Sequence, residues 1–269
     1  MKTAYATTLC NGEGYLPGIE VLGSSLKASK TERPMVLMVT PEVRQVTRDN
    51  LAAQGWTVRE IEPIANPNTA TQQMLPRFDA AYTKLRAWQL VEFDKVVLLD
   101  ADTLVLKNVD ELFDRPEIAA APDFFLPDRF SSGVMVLDPS EETFARMIAQ
   151  LGAVSSYDGG DQGFLNNFFE GWYAMPVAHR LPVGYNMAHF IYQFTHAHPS
   201  AWAKIEHEIK IVHYLVQKPW RAKSTLSGAS GMWWDTYFNV HPEKASSLRH
   251  RIHEMEDLSF DMLAHWIVG

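Results

Sequence analysis

The sequence predicts an α/β domain, a mostly parallel central sheet flanked by helices, and three observations carry that prediction. Strand-length apolar runs recur through the first hundred residues, at Thr3 to Leu9, Pro34 to Val39, Trp56 to Ile61 and Val96 to Leu99. Continuous apolarity is what a strand buried on both faces requires. Between these runs lie segments of helical period: Ile19, Leu22 and Leu26 fall three and four residues apart, as do Ala81, Leu85, Trp88 and Val91. The alternation of the two patterns favours a parallel sheet, in which ligands sit at the carboxyl ends of strands. With 269 residues, 46% of them hydrophobic, the chain suffices for one sizeable domain that buries about 75% of its unfolded surface.

Beyond residue 102 the expected order is a strand at Glu117 to Ala121, a strand at Gly133 to Leu137, and a helix from Pro139. Asp138 and Glu141 there have capping-box spacing around a proline at the first helical position. Asp158 to Gly163 reads as a glycine-rich loop opening an apolar helix that carries Phe164, Leu165, Phe168 and Phe169. Glu208 to Tyr214 is strand-like and is followed by Lys218-Pro219-Trp220. From about Gly228, aromatic and histidine-rich segments lead into a helix, Pro242 to Glu256, expected to wrap over the core as part of a helical extension spanning 228–269.

Composition narrows the function. The formal charge is −8, from 32 acidic and 24 basic residues, and no basic block of five occurs, so nucleic acid is not an expected partner. No run of eighteen apolar residues and no signal-like start appear, which reads as a soluble, unsecreted, cytoplasmic protein without a transmembrane segment. Cys10 has no possible intrachain disulfide partner and is expected to fill core volume rather than act as a nucleophile.

The chemistry is expected at residues 96 to 102, Val-Val-Leu-Leu-Asp-Ala-Asp. In extended chain, residues i and i+2 point the same way, so Asp100 and Asp102 would share one side at a strand's carboxyl end. Adjacent carboxylates repel unless a positive charge lies between them, and Mn²⁺ or Mg²⁺ suits oxygen ligands. The plainer reading is a pair of loop aspartates. His213, closing a strand-like run, offers a nitrogen ligand or a satisfied core imidazole. Lys218 offers a charge for a phosphate oxygen or only a turn residue. Asp158, Asp161 and Gln162 sit in a loop whose glycines admit a ligand, although Asp161 alone reads first as an N-cap. Lys84 shares a helical side with Ala81 and Trp88, so it either snorkels to solvent or meets buried carboxylates. His250 and His253 read as surface residues.

Six segments in order resemble the glycogenin-like retaining glycosyltransferases of family 8, which have the GT-A fold. They are Thr7-Thr8-Leu9 with Asn11, Tyr15 and Val21 to Leu26; Tyr82 to Leu85; Leu99 to Val105; Phe130 to Val134; Asp158 to Gly163; and His213 to Trp220. The resemblance implies a GT-A domain over 1–227, with a nucleotide-binding half of about 1–102 and an acceptor half of about 103–227. It implies a UDP-sugar donor whose uridine lies near Thr8, Leu9, Asn11 and Tyr15, with Arg77 near the phosphates and Lys218 holding the diphosphate. Asp100, Asp102 and His213 map to the ligands of Mn²⁺, with Mg²⁺ an alternative. Lys84, Ala101, Ser131, Asp158, Asp161 and Gln162 map around the donor, with Lys84, Asp161 and Gln162 nearest the transfer. Ser131 stands where glycogenin has an asparagine, and Val216 where a glycine often stands.

The implied reaction moves a hexose from UDP-glucose or UDP-galactose to an acceptor hydroxyl with retention. Either a phosphate oxygen takes the proton on the leaving-group face, which is favoured, or Asp161 forms a covalent intermediate. The acceptor classes are a small polyol, as in the related galactinol synthases, a saccharide, or the chain's own Tyr192, which falls near glycogenin's self-glucosylated tyrosine. A homodimer is compatible with the resemblance. Asp-x-Asp also occurs in haloacid dehalogenase-type phosphatases, but that reading leaves residues 158–163 and 213–220 without a role. A noncatalytic sugar-nucleotide sensor is the other alternative.

Overall fold

The first strand of the chain becomes an interior strand of the main sheet. The computed structural model describes residues 1–68, 80–192, 206–221 and 226–256; Arg77 lies outside the described residues. β1 (Thr3–Leu9), β2 (Met35–Val39), β3 (Trp56–Glu60) and β4 (Lys95–Leu99) run parallel. β5 (Thr103–Val105) then leaves this sheet; β7 (Phe130–Leu137) joins it antiparallel to β4, and β6 (Ala119–Pro122) lies at the edge antiparallel to β7, giving the order β3-β2-β1-β4-β7-β6. A second sheet, β5-β9-β8, is formed with β8 (Met187–Ala188) and β9 (Ile211–His213).

The pleat sorts the core into two layers. Tyr5, Leu9, Leu37, Val97 and Leu99 face α1 (Leu16–Ala28), meeting Ile19, Leu22 and Leu26. The intervening Ala4, Ala6, Val36, Met38, Val96 and Leu98 face Tyr82, Leu85 and Trp88 on a 3-10 helix, Ala81–Gln89. Both faces of these strands are buried, which is why the sequence reads as continuous apolar runs rather than alternation. Each such Leu, Val or Phe contributes about 1.5–3 kcal/mol of hydrophobic stabilisation. α2 (Gln45–Ala53) connects β2 to β3.

Because β2 and β3 lie to one side of β1 and β4 to the other, the strand order reverses between β1 and β4. A crevice opens at the carboxyl ends of strands at such a switch point. Leu9 ends β1 there, and Asp100 follows β4.

Several expectations are corrected. α3 is Glu141–Gln150, and its N-cap is Ser140, whose hydroxyl accepts from the Thr143 N–H at 3.2 Å. Asp138 is instead drawn to Lys95 at 2.9 Å, and the Ser140 N–H is anchored on the Trp88 carbonyl, so the cap moves two residues on. The expected helix through Val91 is the 3-10 segment ending at Gln89, with Val91 exposed. α4 (Asp161–Phe168) has Gly160 as its N-cap, so Asp161 is the first helical residue and its side chain is released for other contacts. Within the expected helical extension, a helix not delimited from the sequence, α5 (Gly228–Val240), precedes a 3-10 turn at Pro242–Lys244 and α6 (Ala245–Glu256). On α5, Trp233, Trp234, Tyr237 and Phe238 pack with Val21, Leu104, Val212 and Tyr214 into a third apolar cluster, while Asp235 and Asn239 are exposed. His250 is exposed, as expected. No helix among the described residues is long and apolar enough to cross a membrane.

Candidate active site

Asp100, Ala101 and Asp102 form a turn, not the extended segment expected. The Asp100 carbonyl accepts from the Thr103 N–H at 3.1 Å and from its hydroxyl at 2.8 Å, which bends the chain out of β4 into β5. The two carboxylates are brought together by this turn rather than by the pleat. Gly18 permits it: a Cβ there would lie 2.1 Å from the Ala101 carbonyl oxygen.

His213 arrives from β9. Its register partner on β5 is Thr103, and the Tyr214 N–H donates to the Asp102 carbonyl at 2.9 Å, so the imidazole is seated beside the turn. Nε2 lies 3.1 Å from Asp102 Oδ1 and 3.9 Å from Asp100 Oδ2. Nδ1 is 2.9 Å from Asn186 Oδ1, and donation from Nδ1–H to that oxygen would leave Nε2 free to ligate a cation between the carboxylates. A Cβ on residue 133 would fall 2.2 Å from His213 Cε1, so only a glycine allows this approach.

Ligand atoms of Asp100, Asp102 and His213 all lie within 4.8 Å of one another, the three-residue grouping of this kind among the described residues. Two carboxylates and one imidazole form an oxygen-rich donor set with one nitrogen, which suits Mn²⁺ better than Mg²⁺. The residues therefore fit a divalent ion.

Two buried lysines complete the charge pattern. Lys84 Nζ lies 2.7 Å from Asp100 Oδ1 and 2.9 Å from Asp161 Oδ2, which settles the choice between snorkelling and burial in favour of burial. Lys218 pairs with Asp102 Oδ2 and donates to the Tyr214 carbonyl at 2.7 Å. Burial disfavours the Lys84 ammonium, yet Asp100 and Asp161 raise its pKa above the ordinary value. Burial also pushes Asp100 up, against the pull of Lys84, whereas Asp102, equally subject to burial, is held below the usual carboxylate range by Lys218 and His213. Three carboxylates thus face two ammonium groups, and one dication reverses the sign of the cluster. A pyrophosphate would then be attracted to it.

The loop at 158–163 supplies a second tier. Asp161 Oδ2 also accepts from Ser132 Oγ at 2.7 Å. Gln162 Oε1 accepts from the Ser132 N–H at 3.1 Å, and its Nε2 donates to Asp123 Oδ2 at 3.0 Å and to the Tyr157 hydroxyl at 3.1 Å. Asp158 holds the loop itself, Oδ1 accepting from the N–H groups of Gly160 and Gly163 at 2.9 and 3.0 Å. Ser131 is buried next to Ser132.

Across the crevice, Leu9 has its side chain wholly in the core, so only its backbone can meet a ligand. Thr8 is half-buried, and Asn11 turns the chain with φ of 55°. The Tyr15 ring lies edge-on to Trp220 at 5.8 Å, with Lys218 Nζ 5.8 Å from its centroid. Val216 takes a φ of 62°, a left-handed conformation that is strained for a β-branched residue. Tyr192 is buried in the α5 cluster. Asn186, Ser132, Asp123 and Gly133 were missed from sequence. Only Ser132-Gly133, inside a segment already singled out, carried any signal.

The family model for glycosyl transferase family 8 matches residues 6–121. Mouse glycogenin-1 is 37% identical over 285 residues, covering 94% of this chain and 84% of that protein. Arabidopsis thaliana inositol phosphorylceramide glucuronosyltransferase 1 is 32% identical over 273 residues, covering 94% of this chain and 47% of that one. The structure of galactosyltransferase LgtC matches with a TM-score of 0.65 at 19% identity, covering 87% of this chain and 95% of the other, and shares the GT-A fold. Identity of this extent, together with the Asp-Asp-His cluster at the sheet's switch point, places the chain in glycosyl transferase family 8, and it is a glycosyltransferase.

Proposed function

We propose that the chain transfers a hexose from a UDP-sugar to an acceptor hydroxyl with retention of configuration, using Mn²⁺ held by Asp100, Asp102 and His213. The observation that carries this reading is the convergence of those three side chains within 4.8 Å, flanked by two buried lysines, at the strand-order reversal. A bound divalent ion supplies Lewis-acid stabilisation of charge on the departing diphosphate.

The chain's own residues do the rest. Lys218 offers its ammonium to the same developing charge. Tyr15, Thr8, Asn11 and the Leu9 backbone border the uridine side, while Ala101, Ser131, Asp158, Asp161 and Gln162 border the hexose. Lys84 and Ser132 both bond Asp161 Oδ2, which orients that carboxylate and lowers its nucleophilicity. This favours attack on the leaving-group face over a covalent intermediate on Asp161. The burial of Tyr192 speaks against the chain's own phenol as the acceptor.

The test is UDP release from UDP-glucose and UDP-galactose with and without Mn²⁺. Slow Mn²⁺-dependent hydrolysis is expected, with a loss of at least ~100-fold in Asp102→Asn while the circular dichroism spectrum is retained. No release from any UDP-sugar, or full activity of Asp102→Asn in metal-stripped buffer, would overturn the reading.

A further inference from the structure

An exposed group of aromatic rings borders the charged cluster and has no part in donor chemistry. Phe124 and Phe125, on the connection between β6 and β7, are 49% and 71% exposed. Phe190, two residues past the end of β8, joins them: centroids lie 5.2 Å apart for Phe124 and Phe125, 5.7 Å for Phe124 and Phe190, and 6.2 Å for Phe125 and Phe190. Single exposed apolar residues are ordinary, but rings gathered from two separate segments at the surface mark a binding surface.

Both ends of the group run into the site. Asp123, next to Phe124, accepts from Gln162 Nε2 through Oδ2. Its Oδ1 accepts from the N–H groups of Phe125 and Leu126 at 2.8 and 3.0 Å, which pins the ring-bearing turn. At the other end Phe190 meets the ring of His189 at 5.6 Å, and His189 stacks on Tyr214, the residue after the imidazole ligand. The rings thus bridge from the Gln162 side of the site to the His213 side.

We propose that Phe124, Phe125 and Phe190 form the acceptor platform and stack against the C–H face of a pyranose ring in a saccharide acceptor. This rests on reading the site as a UDP-hexose transferase. A pyranose presents a flat face of polarised C–H groups, which aromatic faces attract, and a rim of hydroxyls, which nearby carboxylates and phenols bind. Asp123 and the half-exposed Tyr157, both bonded to Gln162 Nε2, supply that rim, and Asp128, paired with Arg129, lies on the same connection. An acyclic polyol has no such face. An anionic membrane is repelled by the rim carboxylates and the chain's net charge of −8. A second copy of the chain needs about 800 Å² per partner for a stable interface, far more than these rings with Leu126 provide.

The experiment compares Phe125→Ala, Phe190→Ala and Phe125→Trp with the parent chain, using UDP-glucose and Mn²⁺ and a panel of maltose, lactose, cellobiose and glycerol. UDP release without acceptor is recorded in parallel, so a dead donor site is recognised separately. The expected result is transfer to a cyclic disaccharide and a fall of about tenfold or more in the ratio of transfer to hydrolysis in each alanine variant, seen in the acceptor KM, with recovery in Phe125→Trp. Four outcomes overturn the proposal: an unchanged ratio, transfer to glycerol but to none of the disaccharides, a dimer by light scattering that the alanine variants abolish, or vesicle co-sedimentation that they abolish. Where hydrolysis itself is absent, the donor reading fails. The platform is then tested by saturation-transfer NMR with maltose, and no Phe-dependent signal overturns it.

Discussion

His213 Nδ1 and Asn186 Oδ1 lie 2.9 Å apart, although the two residues are 27 positions apart in the chain. This contact sets which imidazole nitrogen faces Asp100 and Asp102. An outer-shell partner of this kind is worth about 10–100-fold in metal affinity. Asn186→Ala should weaken Mn²⁺ binding by that factor, read by titration calorimetry or by the Mn²⁺ dependence of UDP release. An unchanged dissociation constant would remove Asn186 from the site.

Gly133→Ala tests the same imidazole by sterics. The added Cβ collides with His213 Cε1 and Nδ1 at 2.2 and 2.4 Å, and both belong to a side chain seated in a buried strand. The expected outcome is a loss of Mn²⁺ affinity at least as large as that of Asn186→Ala. Wild-type affinity in this variant would show that His213 is not held where the ligand role needs it.

Lys84 neutralises two carboxylates at once, buried Asp161 and partly exposed Asp100. Lys84→Ala leaves Asp100 and Asp161 uncompensated, at a cost of about 3–5 kcal/mol. Urea unfolding without metal should show this, and Mn²⁺ should restore part of the loss by supplying positive charge. Equal midpoints for parent and variant would refute the electrostatic account.

Burial pushes the Cys10 thiol up to about 12, against hydrogen bonds from Thr8 and Thr83 that favour the thiolate. At pH 8 iodoacetamide should modify Cys10 roughly a thousandfold more slowly than an unperturbed thiol. The sign for stability follows from the raised value: the contribution is full below the ordinary thiol pKa and is lost as pH rises towards 12. Cys10→Ala should flatten that alkaline fall. Rapid alkylation at pH 8 would contradict the burial of the thiol.

Tyr192 sits in the α5 cluster, its phenol pushed above the ordinary value by burial and by Glu206. Intact-mass spectrometry after incubation with UDP-glucose and Mn²⁺ should show no hexose on the chain. Increments that vanish in Tyr192→Phe would establish self-modification instead.

The strands and the acidic carboxyl end of β4 were legible because their signals are local: a strand buried on both faces must be apolar throughout, and an abrupt pair of acids marks its carboxyl end; the turn that joins the two acids was not. Lys84, Asp161, Gln162, His213 and Lys218 were singled out from local context and received their roles only through resemblance. Their burial, their pairing and the help of Asn186, Ser132 and Gly133 belong to the tertiary level. Helix starts moved for the same reason: Ser140 caps α3 because Asp138 finds Lys95, and Gly160 caps α4 because Asp161 finds Lys84. α5 was hard to read because its glycines and its Trp, Tyr and Phe residues are weak helix formers, so its helicity rests on packing into the third cluster. Local pattern encodes which residues leave water; which distant groups then meet is chosen by strand register and charge pairing, and these exist only once the chain has closed on itself.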